Sequence, residues 1–177
     1  LPISISGVNV SRTGKNLLSN AVSSVTTNGV TFTVNADRSI TISTQDSATG
    51  RANLFYSGEL HLPPANYYLS IGNTFALGQC YFEFVIYRES TKSNNYLNTN
   101  GNSGFAFTLD KGDYIRQIYF SVFSGKTVNA TIYPQIEIGS TASPYTPFVG
   151  TVYPISWETA AGTVYGGTLD VVNGVLT

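Results

Sequence analysis

Residues 28–43 read NGVTFTVNADRSITIS, two alternating runs on either side of a polar turn. Successive side chains in a strand point to opposite sides, so alternation places the apolar residues of both runs on one face. These residues are Val30, Phe32, Val34, Ile40 and Ile42. The intervening segment, NADRS, is rich in residues that favour turns. The stretch therefore predicts a β-hairpin with one buried face.

Similar runs recur along the chain, and no long stretch has apolar residues at helical spacing. They are RANLFYS, NYYLSIG, CYFEFVIYR, GFAFTL, YIRQIYFSVF and TVNATIYPQIEI. Together with the first hairpin they give about eight or nine strands, a number typical of an all-β, jelly-roll β-sandwich of two antiparallel sheets. Residues 88–104, RESTKSNNYLNTNGNSG, are predicted to form a long polar loop.

Composition narrows the range of functions. The 177 residues are 42% hydrophobic and 13% aromatic, enough for one domain with a core, but only 11% are charged. The net charge of −1 and the pI near 5.7 provide no basic field for nucleic acid. No apolar run approaches the roughly 20 residues of a membrane span. We therefore expect neither nucleic acid nor a membrane as a partner.

Catalytic side chains are scarce. His61 and Cys80 are the sole histidine and cysteine, which disfavours a hydrolase with a histidine base, a zinc site and an intrachain disulfide. A glycosidase needs only two carboxylates, and Glu83 and Glu137 lie in predicted strands, yet alternation places both on polar strand faces. We expect no enzyme activity and no cofactor. A structural calcium ion remains open, because the predicted loops contain the carboxylates Asp37, Asp46, Asp110 and Asp113.

Three strands offer aromatic and amide side chains opposite their apolar residues. In CYFEFVIYR the core set begins at Cys80 and the opposite set at Tyr81, and the same alternation applies to YIRQIYFSVF and TIYPQIE. Sugars stack on aromatic rings and hydrogen-bond to planar amides and carboxylates. The candidate ligand-binding residues are therefore Tyr81, Glu83, Tyr87, Gln117, Tyr119, Tyr133 and Gln135. Asn94, Asn95 and Tyr96 of the predicted loop would rim this patch. The alternative is that these tyrosines only cover the sheet.

Several segments, in their order, resemble a known family. They are GKNLLSN, NGVTFTVNADRSITIS, LPPANYYLS, KTVNATIYPQIEIGS with TASPYTPF, and GTVYGGTLDVVNGVLT. Together they look like the carbohydrate-binding modules inserted in tail and baseplate proteins of phages and prophages of Gram-positive bacteria, of the evolved distal tail or tail-tip type. Where a glycine commonly follows the acidic residue of the first turn in that family, this chain has Arg38.

The resemblance implies a non-catalytic module of the virion that contacts the outside of the host cell. Its partners would be host cell-wall polysaccharide and the parent tail protein. A structural or oligomerising β-sandwich of the tail is the first alternative, and a cell-wall glycosidase is a weaker one. The absence of methionine in the chain fits a segment of a longer polypeptide.

The resemblance and the composition together predict three regions. Residues 1–15 would be a flank from the parent protein, 16–148 the carbohydrate-binding β-sandwich, and 149–177 a second flank with a hairpin at Asn173-Gly174. An inserted module must begin and end at neighbouring points, so Asn16 and Phe148 should be close. PQIEIGSTASPYTP at 134–147 would provide the last strand and a proline-fixed exit held against the sandwich.

Overall fold

The computed structural model describes residues 8–13, 15–19, 21–159, 162–165, 169–170 and 175–176, which form strands and irregular segments but no helix. In chain order the strands are β1 (Val8–Thr13), β2 (Val25–Thr27), β3 (Val30–Val34), β4 (Ile40–Thr44), β5 (Ala52–Phe55), β6 (Ala65–Ser70), β7 (Cys80–Arg88), β8 (Ser93–Asn98), β9 (Gly104–Leu109), β10 (Tyr114–Val122), β11 (Ala130–Ile132), β12 (Gln135–Ile138), β13 (Gly150–Thr159), β14 (Gly162–Tyr165), β15 (Leu169–Asp170) and β16 (Val175–Leu176). The protein is all-β with antiparallel sheets, as its alternating runs predict.

The chain divides into two compact units. The central unit is Lys15–Phe148, and the terminal unit combines Leu1–Gly14 with Val149–Thr177. Within the terminal unit, β1 pairs with β13 and β13 with β14, and β15 pairs with β16. The predicted turn at Asn173-Gly174 lies outside the described residues.

The central unit contains three sheets. Sheet I has the strand order β5–β10–β7–β8, sheet II has β11–β4–β3–β2, and sheet III has β12–β6–β9. Only Tyr133 and Pro134 separate β11 from β12, so one stretch of chain pairs first with β4 and then with β6. Sheets II and III are thereby joined through a single bent segment.

The hairpin predicted from NGVTFTVNADRSITIS is confirmed. Phe32 pairs with Ile42 and Val34 with Ile40, and Phe32, Ile40 and Ile42 are at most 1% exposed. In the turn, the N–H of Asn35 donates to the carbonyl of Ser39 at 2.9 Å. Arg38 adopts a φ of 63°, a left-handed conformation that glycine and asparagine adopt more readily.

Strand parity is also confirmed for β7 and β10. Their core-facing residues are all at most 2% exposed: Cys80, Phe82, Phe84, Ile86, Ile118, Phe120 and Val122. Aromatic rings connect the sheets across this core. The Phe32 ring of sheet II meets the Phe120 ring of sheet I at 6.2 Å, and the Phe84 ring of sheet I meets the Phe107 ring of sheet III at 5.4 Å.

The prediction of a long loop at 88–104 is wrong. Ser93–Asn98 forms β8, the edge strand of sheet I, and Gly104 already belongs to β9. β8 pairs with β7 from Glu83↔Asn98 to Arg88↔Ser93. An edge strand that faces solvent needs few apolar residues, so its polar composition resembles that of a loop.

The segments at the two ends of the central unit are close together, as predicted for Asn16 and Phe148, because both residues line one cavity. Asn16, 2% exposed, fixes the incoming segment to the last strand. Its amide donates to the carbonyl of Pro134 at 3.2 Å, and its Oδ1 accepts from the N–H groups of Leu18 and Ile136.

Candidate functional site

Five of the seven predicted ligand-binding residues lie together on the side of sheet I that faces away from the core, hereafter the outer face. β7 and β10 are direct neighbours, so their outward residues form adjacent rows. Tyr119 stands opposite Glu83, and Gln117 stands opposite Val85. The five residues brought together are Tyr81, Glu83, Tyr87, Gln117 and Tyr119.

The sequence predicted that CYFEFVIYR, YIRQIYFSVF and TIYPQIE would present their outward residues on one shared face. This prediction is wrong for TIYPQIE, because its strands β11 and β12 pair with β4 and β6 rather than with β7 or β10. Gln135 is 0% exposed, and its amide oxygen accepts from the N–H of Thr146 at 2.8 Å. Tyr133, 37% exposed, packs its ring 5.3 Å from that of Tyr145 beside a cavity of about 170 Å³. Neither residue belongs to the outer face.

Sequence reasoning missed two strands of the outer face. On β5, Phe55 stands opposite Tyr119 and Asn53 opposite Ser121. The alternation of RANLFYS indicated this placement, because the buried Ala52 and Leu54 leave Asn53 and Phe55 on the opposite side of the strand.

On β8, Asn98 stands opposite Glu83, and Tyr96, which had been predicted to rim the patch from a loop, stands opposite Val85. Tyr96 is 62% exposed. Residues from four strands therefore make up the outer face, in register across sheet I.

A buried acid lies at the middle of this face. The Glu83 side chain accepts a hydrogen bond from the hydroxyl of Tyr119, and Glu83 is only 7% exposed. Burial, and then the negative charge of Glu83, raises the pKa of Tyr119 to about 12. Tyr119 therefore stays protonated at neutral pH and holds the carboxylate in place.

Arg51 fixes one end of the outer face. Its guanidinium lies over the rings of Tyr81 and Phe123, at 5.0 and 5.3 Å from their centroids. Its Nε donates to Ser121 Oγ at 3.4 Å, and the Ser121 hydroxyl donates in turn to Asn53 Oδ1. Such a network restricts the conformations of the aromatic side chains at this end.

Rings at the opposite end cover one another. The Tyr87 ring stacks on that of Tyr114 at 5.1 Å, and the Tyr114 ring stacks on that of His61 at 4.8 Å. Tyr87 and Tyr114 are thus each in contact with another stacked ring. This stack offers less open aromatic surface than its composition suggests.

Phe55, on the edge strand β5, presents an open ring beside Tyr119, although Tyr96 on the opposite edge is more exposed. Phe55 is 51% exposed, and its ring contacts that of Tyr119 at 5.4 Å with a 41° tilt. A cavity of about 250 Å³ lies beside it, lined also by Arg51, Asn53, Gln117 and Tyr119. The Gln117 side chain makes no hydrogen bond with any described residue, so its amide is available beside the ring.

Two of the four carboxylates considered for calcium, Asp37 and Asp113, are engaged elsewhere. Two hydrogen bonds from Ser39 lower the pKa of Asp37. Burial raises the pKa of Asp113, but the Arg88 guanidinium at 2.7 Å and backbone N–H groups outweigh it and leave that pKa below its usual value. Within the described ranges no group of three His, Cys, Asp or Glu residues could hold a metal ion.

The two glutamates considered for a glycosidase lie in different sheets, Glu83 on β7 and Glu137 on β12. Burial raises the pKa of Glu137, but hydrogen bonds from Ser143 and Gln135 and the charge of Lys15 outweigh it and keep that pKa low. A general acid needs a raised pKa instead. This pair therefore gives no support to hydrolysis.

Neither a family model, nor a curated protein, nor a solved structure matches this chain. Where the structure describes the chain, it has no helix long and apolar enough to cross a membrane. Function therefore has to follow from the geometry of the outer face and from the chemistry of its side chains.

Proposed function

We propose that the protein is a non-catalytic carbohydrate-binding module that holds saccharide on the outer face of sheet I. The observation that carries this proposal is the half-exposed Phe55 ring, backed by Tyr119 and flanked by the unengaged amide of Gln117. The ring would stack against the apolar C–H face of a sugar, and the amide would hydrogen-bond to its hydroxyl groups.

Preorganisation supports this assignment. Glu83 and Tyr119 fix each other, and Arg51 fixes Tyr81 and Phe123, so the rings lose little conformational entropy when a ligand binds. The face is aromatic and polar with few charges, which suits a neutral, hydroxyl-rich ligand. Its shallow cavities suit a polymer lying across the strands better than an enclosed small molecule.

The proposed scaffold is a jelly-roll β-sandwich with sheet I as one layer and the joined sheets II and III as the other. The ring contacts Phe32–Phe120 and Phe84–Phe107 across the core support two facing layers. The bent segment β11–β12, which pairs with both β4 and β6, supports a continuous second layer. A sandwich of this kind leaves one flat sheet face open.

The proposed setting is a phage or prophage tail or baseplate protein that contacts host cell-wall polysaccharide outside the cell. The family resemblance motivates it, and the pairing of Thr13 with Gly150 in the terminal unit fits a module inserted into a parent protein. Weak binding at a single site would suffice, because many copies on one virion raise the overall avidity.

A structural or oligomerising role is the second candidate, and exposed apolar surface favours it. Val25, 39% exposed, and Phe55 line one cavity of about 420 Å³ along the edge of the unit. Two copies packed through this edge would cover both side chains. Self-association without saccharide binding would indicate this role.

The test is binding of a fluorescent fusion of the 177-residue chain to a panel of Gram-positive cells and to their purified wall polysaccharides. Phe55→Ala should weaken binding by about 1 to 2 kcal/mol, roughly 5- to 30-fold, because stacking area is lost. Leu77→Ala is the matched control, since Leu77 is a 77% exposed apolar residue of the turn before β7 and belongs to no strand of sheet I. Binding that both variants retain in full, or release of reducing sugar, contradicts the proposal.

A further inference from the structure

A second cavity lies away from the outer face, where the two ends of the central unit meet. Its volume is about 300 Å³, equivalent to about 10 water molecules at roughly 30 Å³ each. That is the lower end of the range for small-molecule sites. Its lining residues are Asn16, Leu18, Ala21, Val22, Val34, Asn35, Ala36, Arg38, Tyr56, Pro134 and Phe148.

Arg38 contributes the only charge in this lining. Its guanidinium lies 5.7 Å from the centroid of the Phe148 ring and forms no ion pair with any described residue. The adjacent carboxylate of Asp37 accepts instead from the N–H and the hydroxyl of Ser39. The cavity therefore has a positive group that no acidic side chain of the lining neutralises.

The backbone of Arg38 belongs to the turn between β3 and β4. Its φ of 63° accompanies the turn's hydrogen bonds, in which the Arg38 N–H donates to the carbonyl of Asn35 and the Asn35 N–H donates to the carbonyl of Ser39, both at 2.9 Å. The turn therefore fixes the backbone from which the guanidinium extends.

Tyr56 contributes an unsatisfied hydroxyl from the core side. It is 7% exposed, and its ring packs 5.7 Å from that of Phe82. The hydroxyl makes no hydrogen bond with any described residue. Every fully buried side-chain oxygen or nitrogen of the described residues has a hydrogen-bond partner. Because the Tyr56 hydroxyl has none, it is not fully buried and must reach open space. Tyr56 lines this cavity and also the shallow one beside Phe55 and Gln117. After burial, the Tyr145 phenol raises the pKa of Tyr56, and Tyr145 itself bonds to the backbone of Asp37 beside Arg38, which favours this cavity as the one the hydroxyl faces.

The rest of the lining mixes polar and apolar groups, with Leu18, Val22, Val34 and Pro134 among its apolar members. Asn16 also lines it, but its amide is committed to Pro134 and its Oδ1 to two backbone N–H groups. One guanidinium, one hydroxyl and an apolar wall match an anion with a single charge and a compact apolar body. A doubly charged phosphate would need more donors than this lining offers.

We propose that this cavity binds a small organic carboxylate, with the carboxylate on Arg38 and Tyr56 and its apolar body against Leu18, Val22 and Phe148. A planar guanidinium fits a carboxylate through two parallel hydrogen bonds, and a tyrosine hydroxyl can donate a third. The site does not depend on saccharide binding at sheet I, and the two can be tested separately.

The test uses the full 177-residue chain and ¹⁹F NMR of two probes of nearly the same shape, 4-fluorobenzoate and 4-fluorobenzamide. The benzoate should bind saturably and at least 5-fold more tightly than the neutral amide. Equal binding of the two probes, or no saturable binding of the benzoate, would overturn the proposal.

Two variants locate the site. Arg38→Asn removes the guanidinium but suits the left-handed backbone, so the fold should stay at least as stable while benzoate binding falls at least 5-fold. Tyr56→Phe keeps the ring and should weaken benzoate binding 2- to 5-fold. Arg116→Gln removes a different exposed arginine and should change nothing. Benzoate binding that survives both cavity variants, or that falls equally with Arg116→Gln, sinks the assignment.

Discussion

The outward sides of β7 and β12 share one sequence pattern but have different surroundings. Both alternate apolar residues with glutamate, glutamine or tyrosine. On β7 that side belongs to the outer face of sheet I, where Tyr81 and Tyr87 are half-buried and only the central Glu83 and Val85 are buried, at 7% and 4% exposure. On β12 a segment from later in the chain covers it and leaves Gln135 and Glu137 at most 4% exposed.

The cover on β12 is made of specific hydrogen bonds. The Ser143 N–H and hydroxyl donate to the Glu137 carboxylate at 2.8 and 2.6 Å, and the Thr146 N–H donates to Gln135. The Tyr145 hydroxyl donates to the backbone carbonyl of Asp37 at 2.7 Å. Strand parity thus tells which side of a sheet a residue takes, but a distant segment decides whether that side stays open.

The largest expected effect separates two glutamines that the sequence treats alike. Gln135→Ala should lower the free energy of unfolding by about 2 to 3 kcal/mol, because Thr146 N–H and the Glu137 carboxylate lose buried partners. Gln117→Ala should stay within about 0.5 kcal/mol, since Gln117 is exposed. Urea unfolding measures both, and equal losses would remove the distinction between the two strands.

This contrast also shows how far the sequence reaches. Local alternation was enough to predict the β3–β4 hairpin and the buried sides of β7 and β10, because those features depend on neighbouring residues. It could not predict which strands pair, because pairing joins residues as distant as Thr41 and Thr131. The polar edge strand β8 was missed for the related reason that its partner, not its composition, makes it a strand.

The site residues also divide into those that local alternation predicts and those that depend on distant strand pairing. Tyr119 and Glu83 were placed correctly because each lies on a strand with clear alternation. Gln135 was misplaced because the sequence does not state which sheet β12 joins or what covers it. Phe55 was missed although its parity was readable, since nothing local shows that its ring stays open.

A second effect distinguishes two tyrosines. Tyr119→Phe should cost about 1 to 2 kcal/mol of stability, because it leaves the largely buried Glu83 without its hydroxyl donor. Tyr133→Phe should cost less than about 0.5 kcal/mol, since its hydroxyl makes no hydrogen bond with a described residue. Thermal and urea unfolding give the comparison. A harmless Tyr119→Phe would show that the Glu83 contact contributes little.

A smaller effect depends on pH. Burial opposes ionisation of Glu137, but Ser143, Gln135 and Lys15 together keep its pKa below the usual 4.5. Ionisation therefore stabilises the fold above pH 4.5, and this contribution disappears as the pH falls through the lowered pKa.

Unfolding measured between pH 6 and pH 3 should consequently show a shallower loss of stability in Glu137→Gln than in the parent. The dependence will not vanish, because the pKa of Asp113 is lowered too. Asp113→Asn offers the matched comparison at the Arg88 ion pair. A Glu137→Gln curve as steep as the parent's would mean that the cover over β12 does not depend on this charge.

The smallest expected effect concerns the two sides of sheet I. Cys80 points to the core at 2% exposure, and burial raises the pKa of its thiol to about 12, so it should be neither reactive nor disulfide-bonded. A reducing agent should leave Tm unchanged. A thiol reagent should label no site in the native parent and one after unfolding, whereas Tyr96→Cys, on the exposed β8, should add one site that reacts in the native state. Native labelling of Cys80 would mean that β7 turns its other side to the core, and the outer face would have to be reassigned.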